Sequence, residues 1–367
     1  MARLELQEIC KGFDEPVLDR LSLTVEEGEF FVVVGPSGIG KTTLLRCVAG
    51  LEVLDAGRVL IGGTDVTRIP PYRRRVAMTF ESYALYPHLT VFENIASPLR
   101  ARKADRAALE RRVGEVARLL RIDQLLDRKP HEISGGQKQR TALGRTLVAE
   151  PDIFLLDEPI SHLDAKIRHE LRRQFHTLEE LRRVATIYVT HDYAEALSLG
   201  DRIGIMGRGG LEQVGTAREV FQRPTSLFVA RHMGQPSINE LACELAAEGD
   251  AVRAVAGGGS VAFAVAPAHR AALNGGTGRL TVGIRPQHIA VLPEGAAADG
   301  RQIVEARVEI FEALGATGVL IAETGGVSLT ALTSPDARFE PGQPIRLGLA
   351  TDSFLYFGAD GGRNLHG

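Results

Sequence analysis

Eight consecutive residues constrain this chain more tightly than any other feature. Gly35-Pro36-Ser37-Gly38-Ile39-Gly40-Lys41-Thr42 fits the pattern G-x-x-x-x-G-K-[ST]. The apolar run Phe30-Phe31-Val32-Val33-Val34 precedes it and the helix-like Thr43-Leu44-Leu45-Arg46 follows, so the sequence predicts a strand, a tight loop and a helix. Glycines let such a loop curl until its amide N–H groups face a phosphate at the helix N-terminus. Gly35, Ser37, Gly38, Gly40, Lys41, Thr42 and Thr43 are therefore candidate nucleotide-contacting positions. In that geometry Lys41 neutralises β- and γ-phosphate charge as a catalytic group, and the Thr42 hydroxyl holds Mg²⁺.

A second segment, Ile153-Phe154-Leu155-Leu156-Asp157-Glu158-Pro159, reads as a strand buried on both faces that ends in two carboxylates. Carboxyl ends of parallel strands open onto the ligand crevice. Asp157 is the candidate Mg²⁺ ligand, directly or through water, and Glu158 the candidate general base. Alone, an acidic pair after a strand is as readily a turn; with the phosphate loop it completes a nucleotide site.

Short apolar runs alternate with amphipathic stretches up to about residue 235, the pattern of an α/β domain. Leu109, Val113, Val116, Leu119 and Leu120 fall at helical spacing behind Asp105 as N-cap; Leu163, Ile167, Leu171, Leu178 and Leu181 repeat that spacing. Thr186-Ile187-Tyr188-Val189-Thr190 reads as a further strand. From residue 236 onward, glycine-rich turns such as Gly257-Gly258-Gly259 and Gly325-Gly326 separate short alternating segments, which predicts a small β-barrel or sandwich. Two domains, 1–235 and 236–367, are the economical reading of 367 residues.

Composition mostly excludes. With 43 basic and 46 acidic residues the net charge is −3, so no global basic field recruits nucleic acid or anionic lipid. The apolar runs are too short to span a bilayer, and the opening Met1-Ala2-Arg3-Leu4-Glu5-Leu6 lacks the core of a signal peptide. Cys10, Cys47 and Cys243 have no metal-site spacing and read as reduced thiols.

Between the two nucleotide motifs stands Ile133-Ser134-Gly135-Gly136-Gln137-Lys138-Gln139-Arg140, which resembles the LSGGQ signature of ABC-type ATPases. Ser134, Gly135, Gly136 and Gln137 would open a helix and offer a hydroxyl, backbone N–H groups and a positive dipole end to a phosphate. The resemblance covers essentially the whole chain. It implies an α/β P-loop NTPase core with an α-helical subdomain at about 88–155, followed by an all-β OB-like (TOBE) regulatory domain. Phe13 is similar to the aromatic that stacks on adenine, though a core role fits it too. Ser161-His162-Leu163-Asp164 is similar to the D-loop, and His191 to the switch histidine at the γ-phosphate. One departure stands out: Phe80-Glu81-Ser82-Tyr83-Ala84-Leu85-Tyr86-Pro87-His88 carries Glu81 where the family carries Gln. Glu81 keeps an oxygen for nucleotide and Mg²⁺ but adds a charge, so hydrolysis is expected to survive with altered Mg²⁺ or pH dependence.

The resemblance further implies ATP and Mg²⁺ as cofactors. It implies a second ATPase subunit (a second copy or a paralogue), two transmembrane permease subunits and an extracytoplasmic solute-binding protein. It places the chain on the cytoplasmic face of the membrane, without nucleic acid. Gly283-Ile284-Arg285-Pro286-Gln287-His288-Ile289 resembles a segment of maltose-type import ATPases, which favours a carbohydrate, polyol or glycerol phosphate. Polyamine, iron and anion importers carry similar tails and stay open as the alternative. A non-transport ABC ATPase acting on nucleic acid or the ribosome is the rival class.

Overall fold

Among the described residues the strands form four sheets divided between two compact units, Met1–Ala217 and Arg218–Gly367. The computed structural model describes residues 3–80, 82–161, 163–176, 178–248, 251–265, 278–293, 295, 297, 299–359 and 362–365. In chain order the first unit holds β1 (Leu4–Gly12), β2 (Pro16–Val25), β3 (Phe30–Val34), α1 (Lys41–Ala49), β4 (Ala56–Ile61), β5 (Thr64–Asp65) and β6 (Val76–Thr79). There follow α2 (Val91–Ala101), α3 (Arg106–Leu119), α4 (Gly135–Leu147), β7 (Ile153–Asp157), α5 (Ala165–Phe175) and α6 (Glu179–Arg183). The unit closes with β8 (Ala185–Thr190), α7 (Tyr193–Leu199), β9 (Arg202–Met206) and β10 (Leu211–Gly215).

Its main sheet runs β10-β9-β3-β8-β7-β6, parallel throughout except for the antiparallel β9–β10 edge. Every residue of β3, β7 and β8 is buried, as continuous apolar strands covered on both faces require. The antiparallel sheet β2-β1-β4-β5 shares one core with it: Leu6 and Leu23 meet Leu44 and Val48 of α1 and Val33 and Leu155 of the parallel strands. This arrangement carries the ends of β3, β7 and β8 to one edge, where residues 35–40, Glu158 and His191 follow.

Helices α2, α3 and α4 lie between β6 and β7. Thr90 opens α2 with a reciprocal cap: its hydroxyl accepts from Glu93 N at 3.2 Å while the Glu93 carboxylate accepts from Thr90 N at 3.0 Å. Asp105 caps α3 as expected, accepting from Ala107 N at 3.0 Å, and Leu109, Val113, Val116 and Leu120 are buried. Gly144 lets α4 come close to its neighbours, since a Cβ there would lie 3.1 Å from Leu120 Cδ1. The second leucine repeat is not one helix. Asp164 accepts from Ile167 N at 3.0 Å and starts α5; Leu178 is extended (φ −68°, ψ 104°) and α6 begins after it.

The second unit opens with α8 (Ala217–Gln222) and α9 (Leu227–His232), then β11 (Asn239–Glu248), β12 (Ala251–Ala256), β13 (Val261–Ala264), β14 (Gly278–Ile284) and β15 (Ile289–Leu292). It ends with β16 (Gln302–Ala313), β17 (Gly318–Thr324), β18 (Val327–Thr333), β19 (Pro344–Leu349) and β20 (Leu355–Gly358). Two antiparallel sheets, β13-β12-β11-β14-β20 and β15-β19-β16-β17-β18, enclose one core that includes Leu241, Phe263, Val282, Leu320 and Leu347. The unit begins before residue 236 because Leu227 and Ala230 of α9 cluster with Ile238 and Phe357.

Candidate nucleotide site

The loop after β3 can only be built from glycine at its key positions. Gly38 (φ 77°) and Gly40 (φ 110°) are left-handed. A Cβ at Gly40 would also stand 2.6 Å from Val17 Cγ1. Gly40 is the N-cap of α1 and contributes no side-chain hydrogen bond, so no protein side chain caps the anion-seeking end of that helix from this position. Lys41 is buried, and its Nζ donates to Gly35 O and Pro36 O at 2.9 Å each. The cation thus arches back over the loop it belongs to, at the height where phosphate oxygens would compete for it.

Next to the loop, Thr42 Oγ1 donates to Asp157 Oδ1 at 3.3 Å, and Asp157 is buried at the end of β7. The two residues expected to share Mg²⁺ are therefore adjacent, and both are hard oxygen donors, the chemistry that ion selects. Glu158 follows in a left-handed conformation (φ 44°) that is costly for a residue with a Cβ. Its Oε1 lies 2.9 Å from His191 Nδ1. Further hydrogen bonds hold its backbone in this pose: Glu158 N donates to Val189 O at 3.0 Å, and its carbonyl accepts from Gln139 Nε2 and Ser161 Oγ, both at 3.0 Å. A cleft of about 560 Å³ takes its walls from Phe13, the loop residues between 37 and 43, Glu158 and His191. Phe13 is 62% exposed, and Lys11 Nζ lies 4.9 Å from its ring centroid.

The signature residues stand elsewhere. Ser134 Oγ accepts from Gln137 N at 3.4 Å, and Gln137 Oε1 accepts from Ser134 N at 2.8 Å, a capping box opening α4. Ser134 and Gly135 are exposed, and neither these two nor Gly136 and Gln137 line the cleft. Asp164 is spent on capping α5. Glu81 and His162 lie outside the described residues.

Three residues that sequence reasoning passed over organise this edge. Gln139 reaches from α4 to the Glu158 carbonyl. Arg168 donates to Ser161 O at 3.2 Å and Leu163 O at 3.0 Å, with its other nitrogen 3.9 Å from Asp192 Oδ2, so it ties the loop after β7 to the loop after β8. Glu195 of α7 is buried and accepts from Tyr188 OH at 2.7 Å and from Oγ1 of Thr190, the residue before His191, at 2.9 Å. Burial raises its carboxyl above the usual range and lifts the Tyr188 phenol well above its own.

Two family models match the chain: ABC transporter over residues 18–161 and TOBE domain over residues 282–357. Relatives match it along its full length. The sn-glycerol-3-phosphate import ATP-binding protein UgpC of Chromobacterium violaceum is 40% identical, covering 100% of this chain and 96% of its own. The chain belongs to the ABC transporter family. The trehalose/maltose import ATP-binding protein MalK of Thermococcus litoralis is 42% identical over 94% of each chain. The solved dimeric structure of MJ0796, a bacterial ABC transporter cassette, superimposes with a TM-score of 0.55 at 29% identity, covering 59% of this chain and 99% of that one. The protein is accordingly an ABC-type ATPase that binds ATP, with an α/β nucleotide core and an all-β TOBE tail, as the sequence led us to expect.

Proposed function

We propose that this ATPase energises a carbohydrate importer. The observation that carries the reading is the convergence of Lys41, Thr42, Glu158 and His191 on one cleft, with buried Asp157 hydrogen-bonded to Thr42 behind it, in a chain about 40% identical along its length to glycerol-phosphate and maltose-type import subunits. In this reading the loop amides and Lys41 bind the triphosphate, and Lys41 exchanges its loop carbonyls for phosphate oxygens. Thr42 and Asp157 would hold Mg²⁺, which neutralises phosphate charge. Glu158 accepts the proton of the attacking water, and His191 fixes its carboxylate. Phe13 stacks on the base.

The signature lies outside its own chain's cleft, which supports an active dimer in which Ser134, Gly135, Gly136 and Gln137 of a second copy close over the γ-phosphate. Asp164 would face the same seam. No described helix is long and apolar enough to cross a membrane, so two permease subunits would carry the spans. An extracytoplasmic binding protein would deliver solute, and the ATPase would dock from the cytoplasmic side. The test is the Glu158→Gln variant in vesicles with the permease partners. ATP retention should persist while hydrolysis falls by roughly a hundredfold or more, and glycerol 3-phosphate or maltose should stimulate the parent. Hydrolysis at the parental rate in the variant removes Glu158 as base. Stimulation by neither solute removes the carbohydrate assignment.

A further inference from the structure

A larger cavity, about 1040 Å³, lies wholly within the second unit, away from every residue assigned above. Arg285, which precedes the 3₁₀ turn after β14, is one of its walls and is only 4% exposed. Its guanidinium carbon sits 3.8 Å from the centroid of the Phe221 ring, and it donates to the backbone carbonyls of Phe221 and Met233. No described carboxylate pairs with it, and burial brings its pKa down to about 10. A buried cation held only by carbonyls and a ring face carries a charge that the fold leaves uncompensated.

The other polar groups lean the same way. His288 also lines the cavity; its Nδ1 is buried and has no hydrogen-bond partner among the described residues. Arg223 and Arg363 stand on the exposed parts of the lining, and Asp352 is the one carboxylate in it. Phe221, Pro224 and Phe354 supply apolar walls. Buried Arg285 and exposed Arg363 against the one carboxylate of the lining already make a cavity that attracts anions, and the planar guanidinium is shaped for a bidentate oxyanion.

We propose that this cavity is a binding site for a small organic oxyanion, a phosphorylated or carboxylated metabolite whose charged end meets Arg285 and His288 and whose body lies on the Phe221 and Phe354 side. Nothing in the nucleotide chemistry needs such a site, so its occupancy would report a metabolite to the regulatory tail of the ATPase.

The test is calorimetric titration of the full chain with the magnesium complex of a non-hydrolysable ATP analogue saturating the phosphate loop, γ-phosphate position included, so that added phosphate does not report on that site. The probes are inorganic phosphate, glycerol 3-phosphate, glucose 6-phosphate and citrate. Saturable binding of at least one probe at millimolar concentration is expected; binding of the phosphates without citrate assigns a phosphate ester, and the reverse assigns a carboxylate. Arg285→Met should weaken binding roughly tenfold or more, the loss of a charge-assisted contact. Should that variant fail to fold, two exposed positions carry the test: Arg363→Gln should weaken binding and Asp352→Asn tighten it. No saturable heat from any probe overturns the proposal, as do affinities unchanged in both exposed variants.

Discussion

Glu195 is a buried group that ties α7 to the end of β8 beside the proposed catalytic residues, and its replacement separates two consequences. Its carboxylate is 2% exposed and is the acceptor for the hydroxyls of Tyr188 (0% exposed) and Thr190 (2% exposed). Glu195→Leu removes that acceptor and strands two buried donors at about 1–3 kcal/mol each, so roughly 2–6 kcal/mol in all. Part of this is offset at neutral pH. Burial raises the folded-state pKa above the unfolded value, so the group's contribution is fully present below the unfolded pKa and declines as pH rises through the folded one. Glu195→Gln keeps the acceptor oxygen and drops the charge. It should melt near the parent at neutral pH and flatten the stability profile in the mildly acidic range above the usual glutamate pKa. For a unit the size of Met1–Ala217, 1 kcal/mol moves the melting temperature by about 2–4 °C, so Glu195→Leu should lose roughly 4 °C or more in mild acid, where the offset is smallest, and less at neutral pH. The assay is thermal unfolding followed by circular dichroism, without nucleotide. A Glu195→Leu melt within about 1 °C of the parent in mild acid, or a Glu195→Gln melt as low as the leucine variant's, refutes the reasoning.

Three further outcomes are expected. Burial pushes the Cys47 thiol up to about 11 and the Cys243 thiol up to about 12, so iodoacetamide at pH 8 should modify both only after denaturation while half-buried Cys10 reacts first; equal native rates for all three contradict this. Gln139→Leu deletes one donor to the Glu158 carbonyl and should lower kcat several-fold with KM for ATP nearly unchanged, as for a positioning residue; a rise in KM alone argues against it. Glu81→Gln should shift the Mg²⁺ and pH profiles of hydrolysis, and superimposable profiles would end the idea that the carboxylate at this position matters.

The phosphate loop was legible because its backbone disfavours substitutes: left-handed φ at Gly38 and Gly40 strains any other residue, and at Gly40 the near contact with Val17 leaves room for hydrogen only. The strand ending in Asp157 was legible because four consecutive apolar residues read as a strand buried on both faces, and the two carboxylates after it gained meaning only beside the phosphate loop. Gln139, Arg168 and Glu195 were not, since a buried polar residue on a helix carries the same letter as a solvated one and only tertiary contacts supply its partner. The start of the second unit was misplaced for a related reason. Residues 218–235 are helical in texture like the first unit, yet Leu227 and Ala230 belong to a cluster with Ile238 and Phe357 that no local pattern announces. Arg285 was noticed as part of a resemblance, but its burial without a counter-ion is a property of the fold alone.

Glu158 connects these observations. A left-handed glutamate persists only where its surroundings over-determine it, and here the support comes from three directions: Val189 of β8, Ser161 of its own loop and Gln139 of α4. Helix α4 is a single rigid element of 13 residues, about 20 Å long, whose exposed N-terminus carries the Ser134 cap. The end that would meet a second subunit's nucleotide and the residue that holds Glu158, the proposed base, in its strained conformation are thus on one rod. A tilt of α4 on dimer closure would reach the Glu158 carbonyl without any intervening side-chain relay. Loss of activity in Gln139→Leu at unchanged ATP affinity is the signature of that linkage, because a residue serving only the stability of α4 would leave kcat per folded molecule where it was.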